Sequence, residues 1–142
     1  MIRQSLKKFH SKTQNTKIRM QNDKEKFKKN FIERLIKFSI AIIKFSESQR
    51  KQKIRWCLTD QLIRSATSIG ANVVEAKASS SRKEYINFFQ IALKSANETV
   101  YWLLIFKELK TTDRDQLEKL FDEVNEIAKI IASSVLTLKG KK

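Results

Sequence analysis

Proline is absent from the chain, and glycine occurs only at Gly70 and Gly140. Tight hairpins and left-handed corners therefore have almost nothing to build on, which excludes most β architectures and leaves an all-α chain as the expectation. Cysteine is as scarce. The lone Cys57 excludes an intramolecular disulfide and any cysteine-rich metal site, and it suits a reducing, cytoplasmic setting. The single histidine, His10, lies in a polar leader where it has no fixed surroundings, so no positioned general base is expected. A glycine-rich phosphate loop is missing too. Charges interrupt every apolar run before the ~20 residues that a membrane span needs, and the N-terminus has no hydrophobic signal core. Neither an enzyme, nor a cofactor, nor a small-molecule substrate, nor a membrane partner is expected from these absences.

Positive charge is what the chain has in excess, with 30 Lys and Arg against 15 Asp and Glu and a net charge of +15. Residues 1–29 contribute ten cations and two carboxylates, and residues 30–142 contribute twenty and thirteen. Both parts are basic, so a polyanion such as nucleic acid is the natural partner class. The plainer alternative is a soluble protein that happens to be cationic.

Apolar spacing organises the rest. Residues 1–26 are polar and basic, with only Ile2, Leu6 and Phe9 in a weak i, i+4, i+7 pattern, and they read as a disordered or loosely helical arm. A first helix is expected from Phe27 to Ser48 along Phe27, Phe31, Leu35, Phe38, Ile42 and Phe45, with Ile32, Ile36 and Ile43 widening the stripe beyond what one partner needs. Leu58, Leu62, Ala66, Ile69, Val73 and Ala76 mark a second helix over about 55–78. Ser79, Ser80 and Ser81 break it, and Ser81 with Glu84 forms a capping box that starts a third helix near Arg82, ending near Lys110. Thr111 to Asp115 caps a fourth, running through Leu117, Leu120, Val124, Ile127, Ile131 and Val135 to Leu138, with residues 139–142 as a basic tail. Short connections then give an antiparallel up-down-up-down four-helix bundle over residues 27–138.

Polar residues beside these stripes are the sites to watch. Arg64, Ser68, Asn72 and Glu75 share one row of the second helix, and Glu98 stands among Ile91, Trp102 and Ile105 on the third. A carboxylate there calls for a cation, and Arg64 is the expected partner with Asn72 bridging; Glu98→Ala should then cost ~3 kcal/mol. Glu75 and Glu98 could also be read as a metal-binding carboxylate pair, but the Glu-x-x-His pattern of di-iron bundles is absent. Arg50, Lys51, Lys53 and Arg55 place four cations in one turn, and Trp56 beside them is either a stacking platform for bases or a cover for the bundle's end. Lys77, Arg82 and Lys83 complete the nucleic-acid-binding set. Phe88, Phe89, Tyr101 and Trp102 fall at helical spacing and read as core or subunit contacts.

The run Gln61-Leu62-Ile63-Arg64-Ser65-Ala66, followed by Ser68-Ile69, Asn72 and Glu75 and then by Ile91-Ala92, Ser95-Ala96 and Glu98, resembles the bacterial four-helix-bundle proteins named for the intervening sequences of 23S rRNA genes. That family includes the accessory variability determinant of diversity-generating retroelements. Ala76 and Lys94 stand where the family usually has glycine. Met20 stands where such bundles usually begin, so residues 1–19 read either as an upstream extension or as the mark of an alternative start at Met20. The resemblance implies a homopentameric ring that binds RNA or DNA and, in the retroelement branch, partners a reverse transcriptase. A self-assembling protein-interaction module without nucleic-acid binding is the alternative.

Overall fold

A computed structural model describes residues 2–52, 56–110 and 113–140, and they are almost wholly helical. Four helices follow in order: α1 (Ile2–Lys51), α2 (Trp56–Lys77), α3 (Arg82–Glu108) and α4 (Arg114–Gly140). The last three match the helices expected from apolar spacing to within two residues. The first does not. Helix begins at Ile2 instead of Phe27, because nothing from Ile2 to Ile69 is proline or glycine and Lys, Gln, Glu and Met favour helix.

Two compact units divide the chain, residues 1–33 and 34–142. In the first unit every described side chain from Ile2 to Asn30 is exposed, and Phe27 stacks on Phe31 with ring centroids 6.4 Å apart. Phe27, expected in the core, is 59% exposed.

The second unit is the bundle. Leu35, Phe38, Ile42 and Phe45 of α1 are buried together with Leu62, Ile69 and Val73 of α2, Phe89, Leu103 and Phe106 of α3, and Leu120, Val124, Ile127 and Ile131 of α4. Phe45 meets Phe106 edge to face, centroids 5.5 Å apart, so α1 and α3 touch diagonally through the core. Hydroxyl pairs join α2 to α3, described below, and Lys107 of α3 pairs with Glu118 of α4 at 3.1 Å. Arg34 closes the circuit, holding Glu123 of α4 through two bonds of 2.6 and 2.9 Å. Ser65 pairs with Thr99 and Ser68 with Ser95, so the order runs oppositely along α2 and α3, and Lys107 with Glu118 links the end of α3 to the start of α4, as antiparallel neighbours require.

Caps fix the boundaries. Ser81 accepts the Glu84 amide at 3.1 Å, while the Glu84 carboxylate takes the Ser80 amide at 2.8 Å and the Ser80 hydroxyl at 3.0 Å. The expected capping box is thus present but reaches back one residue further, which holds the Glu84 carboxyl below its usual range. Asp113 Oδ1 accepts the Gln116 amide at the start of α4. Thr111 and Thr112 of the expected cap lie outside the described residues. At the end of α3, Lys110 takes a left-handed φ of 51°, a conformation glycine would adopt without strain.

Gly70 sits in mid-helix, and a Cβ there would meet Leu35 Cβ at 3.5 Å, an ordinary contact. Gly70→Ala should therefore raise stability by ~0.5–1 kcal/mol through helix propensity alone, read from urea unfolding. The Arg34 guanidinium holds the Glu123 carboxyl below its usual range, chiefly through their hydrogen bond. A depressed carboxyl stabilises the fold at neutral pH and loses that effect as pH falls below the ordinary carboxylate range into the folded group's own titration. Because both side chains are more than a third exposed or nearly so, Glu123→Gln should cost only ~0.2–1 kcal/mol at pH 7. The gap between variant and parent should close in unfolding curves recorded at progressively more acid pH.

Candidate nucleic-acid interface and polar seam

Small residues line the contact between α2 and α3. Ala66, Ala92 and Ala96 are fully buried there, and among them Ser65, Ser68, Ser95 and Thr99 bring hydroxyls face to face. Thr99 Oγ1 lies 3.0 Å from Ser65 Oγ and 2.8 Å from its own helix carbonyl at Ser95, while Ser65 donates to Leu62 O. Ser95 donates to Ser68 Oγ at 3.0 Å, and Asn72 reaches both Ser68 O and Ser68 Oγ at 2.8 and 3.1 Å. Every hydroxyl in the seam has a partner, so the seam itself leaves no polar group unsatisfied between the two helices.

The expected polar network is therefore half right. Ser68 meets α3 through Ser95 and Asn72 holds Ser68 from its own helix, but Arg64, Glu75 and Glu98 are exposed and stand outside it. The proposed Arg64–Glu98 pair is not among the ion pairs of the described residues. Glu98 instead accepts a bond from Trp102 Nε1 at 3.3 Å, one turn along its own helix. Ser65, Ser95 and Thr99, which complete the seam, were missed as site residues; their signal was a hydroxyl recurring beside alanines on two successive helices.

The cations expected to meet phosphate are divided. Arg50, Lys51 and Trp56 lie where α1 ends and α2 begins; Lys77, Arg82 and Lys83 lie where α2 ends and α3 begins. The 22-residue length of α2, about 33 Å at 1.5 Å per residue, separates the two groups. Within one chain they cannot form a single patch. Arg50 is also committed internally, since its Nε donates to Thr59 Oγ1 at 2.8 Å and its terminal nitrogen pairs with Asp60. Trp56 is 69% exposed, so it does not cover the bundle's end, and Lys51 is exposed as well. Lys53 and Arg55 lie outside the described residues.

The other end is the more basic one. Lys77, Arg82 and Lys83 are exposed, and Lys139 of α4 arrives beside them as α4 finishes. Arg82 donates to the Leu138 carbonyl, setting a cation against the negative end of α4. Arg82, Lys83, Ile86, Asn87, Gln90 and Lys139 line an open groove of about 480 Å³. Cationic and amide side chains around such a groove suit an oxyanion ligand, phosphate above all.

The sequence profile of the 23S rRNA-intervening sequence protein family matches residues 28–133. The chain belongs to that family. Its fold is also that of a crystal structure of a protein of the S23 ribosomal protein family from Bacteroides thetaiotaomicron, described there as of unknown function. The two chains are 33% identical, with a TM-score of 0.70 over 74% of this chain and 97% of the other. No curated protein matches. Among the described residues no helix is long and apolar enough to cross a membrane, and no group of three His, Cys, Asp or Glu could hold a metal ion.

With Glu98 exposed, Glu98→Ala should change the stability of the fold by less than ~0.5 kcal/mol, the range of surface substitutions, in place of the larger cost expected from a buried pair. Thr99→Ala, which removes a fully buried hydroxyl from the seam, should cost ~1–3 kcal/mol. Urea unfolding of the two variants beside the parent checks both.

Proposed function

We propose that this member of the 23S rRNA-intervening sequence family is a non-enzymatic basic scaffold that binds RNA or DNA electrostatically as a homo-oligomer. The basic end formed by Lys77, Arg82, Lys83 and Lys139 carries the reading, because it gathers exposed cations from three helices, and Arg82, Lys83 and Lys139 line one open groove there. The only carboxylate in the intervening turn and first helical turn, Glu84, is occupied in capping. The family's name, and the ribosomal name of the related structure, point to the same class of partner.

Assembly is supported by the outer faces of α1 and α3. Ile36 and Ile40 on α1 are 54% and 46% exposed, and Tyr101 and Leu104 on α3 are 57% and 42% exposed. These helices are diagonal in the bundle, so the two apolar faces point away from each other. Joining one face to the other on the next copy is a heterologous contact, and such contacts close into a ring when the rotation divides a full turn. Five copies of a +15 chain, the number that the family resemblance implies, would carry +75. In the retroelement branch of the family a reverse transcriptase is the further partner, and a reverse transcriptase gene beside a template repeat is the genomic setting that goes with it. The same apolar faces would serve a purely self-assembling module, which differs only in ignoring nucleic acid.

Light scattering should return a multiple of 16.7 kDa. Mixed-sequence RNA and duplex DNA should shift with micromolar protein at ~50 mM salt, and the shift should be largely lost by ~200 mM if six or more phosphates are contacted. Changing Lys77, Arg82, Lys83 and Lys139 together to Gln should flatten the slope of log affinity against log salt by roughly 3 to 4. No shift at the lower salt would leave the self-assembly reading standing alone.

A further inference from the structure

The family match begins only at residue 28, and the related structure is covered almost completely while a quarter of this chain has no counterpart in it. The part of α1 from Ile2 to Phe27 thus lies outside the region that the family profile matches. Every described side chain of that segment through Asn30 is exposed. Its cations are also uncommitted, since Arg3, Lys7, Lys8, Lys12, Lys17, Arg19 and Lys26 enter no ion pair among the described residues.

Their placement around the helix is ordered. At 100° per residue, Lys8, Lys12, Arg19 and Lys26 form one edge, and Arg3, Lys7 and Lys17 form another on the far side. Between the two edges runs a face of small amide and hydroxyl side chains, Gln4, Ser11, Asn15 and Asn22, with Ile18 among them. The only carboxylates before Glu33 are Asp23 and Glu25, both near the far end.

We infer that this basic helix is a second nucleic-acid site, one that lies in the major groove of duplex DNA. Cations on both edges reach the phosphates of the two strands, while amides and Ile18 face the base edges, where hydrogen bonds and a thymine methyl await them. A helix with its side chains is about 10–12 Å across and the B-form major groove is about 12 Å wide, whereas the deep groove of duplex RNA is too narrow to admit it. From Arg3 to Lys26 the helix is about 35 Å long, one turn of B-form DNA.

The other face argues against two rival occupants. Ile2, Leu6, Met20 and Phe27 fall on one stripe, but Thr13, Thr16 and Lys24 interrupt it, and Thr16 turns its hydroxyl onto Lys12 O. Such a stripe is too broken to sink into a lipid surface. Pairing with the same segment of a second copy would set two strongly cationic helices side by side.

The inference rests on the nucleic-acid reading above, and one experiment separates their failures. The probes are a labelled DNA duplex of about two turns (~21 base pairs), the same sequence as duplex RNA, and vesicles rich in phosphatidylserine. The proteins are the full chain, a variant with Arg3, Lys7, Lys8, Lys12, Lys17 and Arg19 all changed to Gln, and the Lys77, Arg82, Lys83, Lys139 variant. Thermal melts confirm that each bundle is intact. The expected result is tighter binding of DNA than of RNA by the full chain, with the arm variant losing that preference and flattening the salt slope by about 5, at ~0.9 per phosphate contact. An arm variant that binds DNA like the parent, while the bundle-end variant loses it, overturns this inference and leaves the proposed function intact. Arm-dependent binding of RNA equal to that of DNA, or of vesicles in place of DNA, overturns groove binding. Failure of every protein to bind either nucleic acid removes both readings.

Discussion

The close approach of α2 and α3 is the constraint on which the bundle depends. Alanine at 66, 92 and 96 lets the two backbones come near enough for one helix's hydroxyls to touch the other's, and Ser65–Thr99 and Ser68–Ser95 do so at 3.0 Å. Larger side chains would push the helices apart and strand these groups without partners. Each buried hydroxyl left unpaired costs ~1–3 kcal/mol. The seam therefore fixes the register of α2 against α3, and with it the end at which Lys77, Arg82 and Lys83 emerge. Register matters because helices that slide by one turn move about 5.4 Å. A bundle of purely apolar contacts would resist such sliding less sharply.

Apolar spacing made the bundle legible. Seams of four-three alternation named buried positions of α2 and α4 correctly, apart from Leu58 and Leu138 at their ends, because periodicity reports which residues share a face. It reports less well where a face ends. Each i, i+4 step advances about 40° round a helix, so the row from Arg64 through Ser68 to Asn72 climbs from open solvent to the edge of the core. Ser68 reaches α3 and Asn72 reaches Ser68; Arg64 reaches neither. Glu98 failed for the same reason, since its large apolar neighbours Ile91 and Trp102 lie on the shoulder of α3 and not in its core. The hydroxyls of Ser65 and Thr99 were hidden by the same logic in reverse, for they stand beside apolar residues and look like filler until a partner helix is placed beside them.

Charge was legible as a total and illegible as a pattern. Nothing in the count of cations says that Arg50 pairs with Asp60 and Thr59, or that Lys107 pairs with Glu118 across the α3–α4 junction. Those pairs cancel much of the excess at one end of the bundle. The opposite end keeps its charge, since Lys77, Lys83 and Lys139 enter no ion pair among the described residues and Arg82 meets only a helix carbonyl. A fold thus converts an overall surplus into a directional one, by spending its carboxylates unevenly on internal ties.

Direction is what makes assembly consequential. Under the proposed function a cationic end on one bundle would meet a few phosphates, and contacts that few are weakened by modest salt. When like copies are held together so that their basic ends lie near one another, each phosphate contact raises the effective concentration for the next, and affinity can rise by ~10²–10⁴ without any new kind of contact. The apolar faces of α1 and α3 and the basic end of the bundle are then coupled although they share no residue. If the proposed function holds, a substitution at Ile40 or Tyr101 that blocks association would weaken nucleic-acid binding while leaving every cation in place, and the loss would be greatest at the salt concentrations where a single bundle no longer holds phosphate by itself.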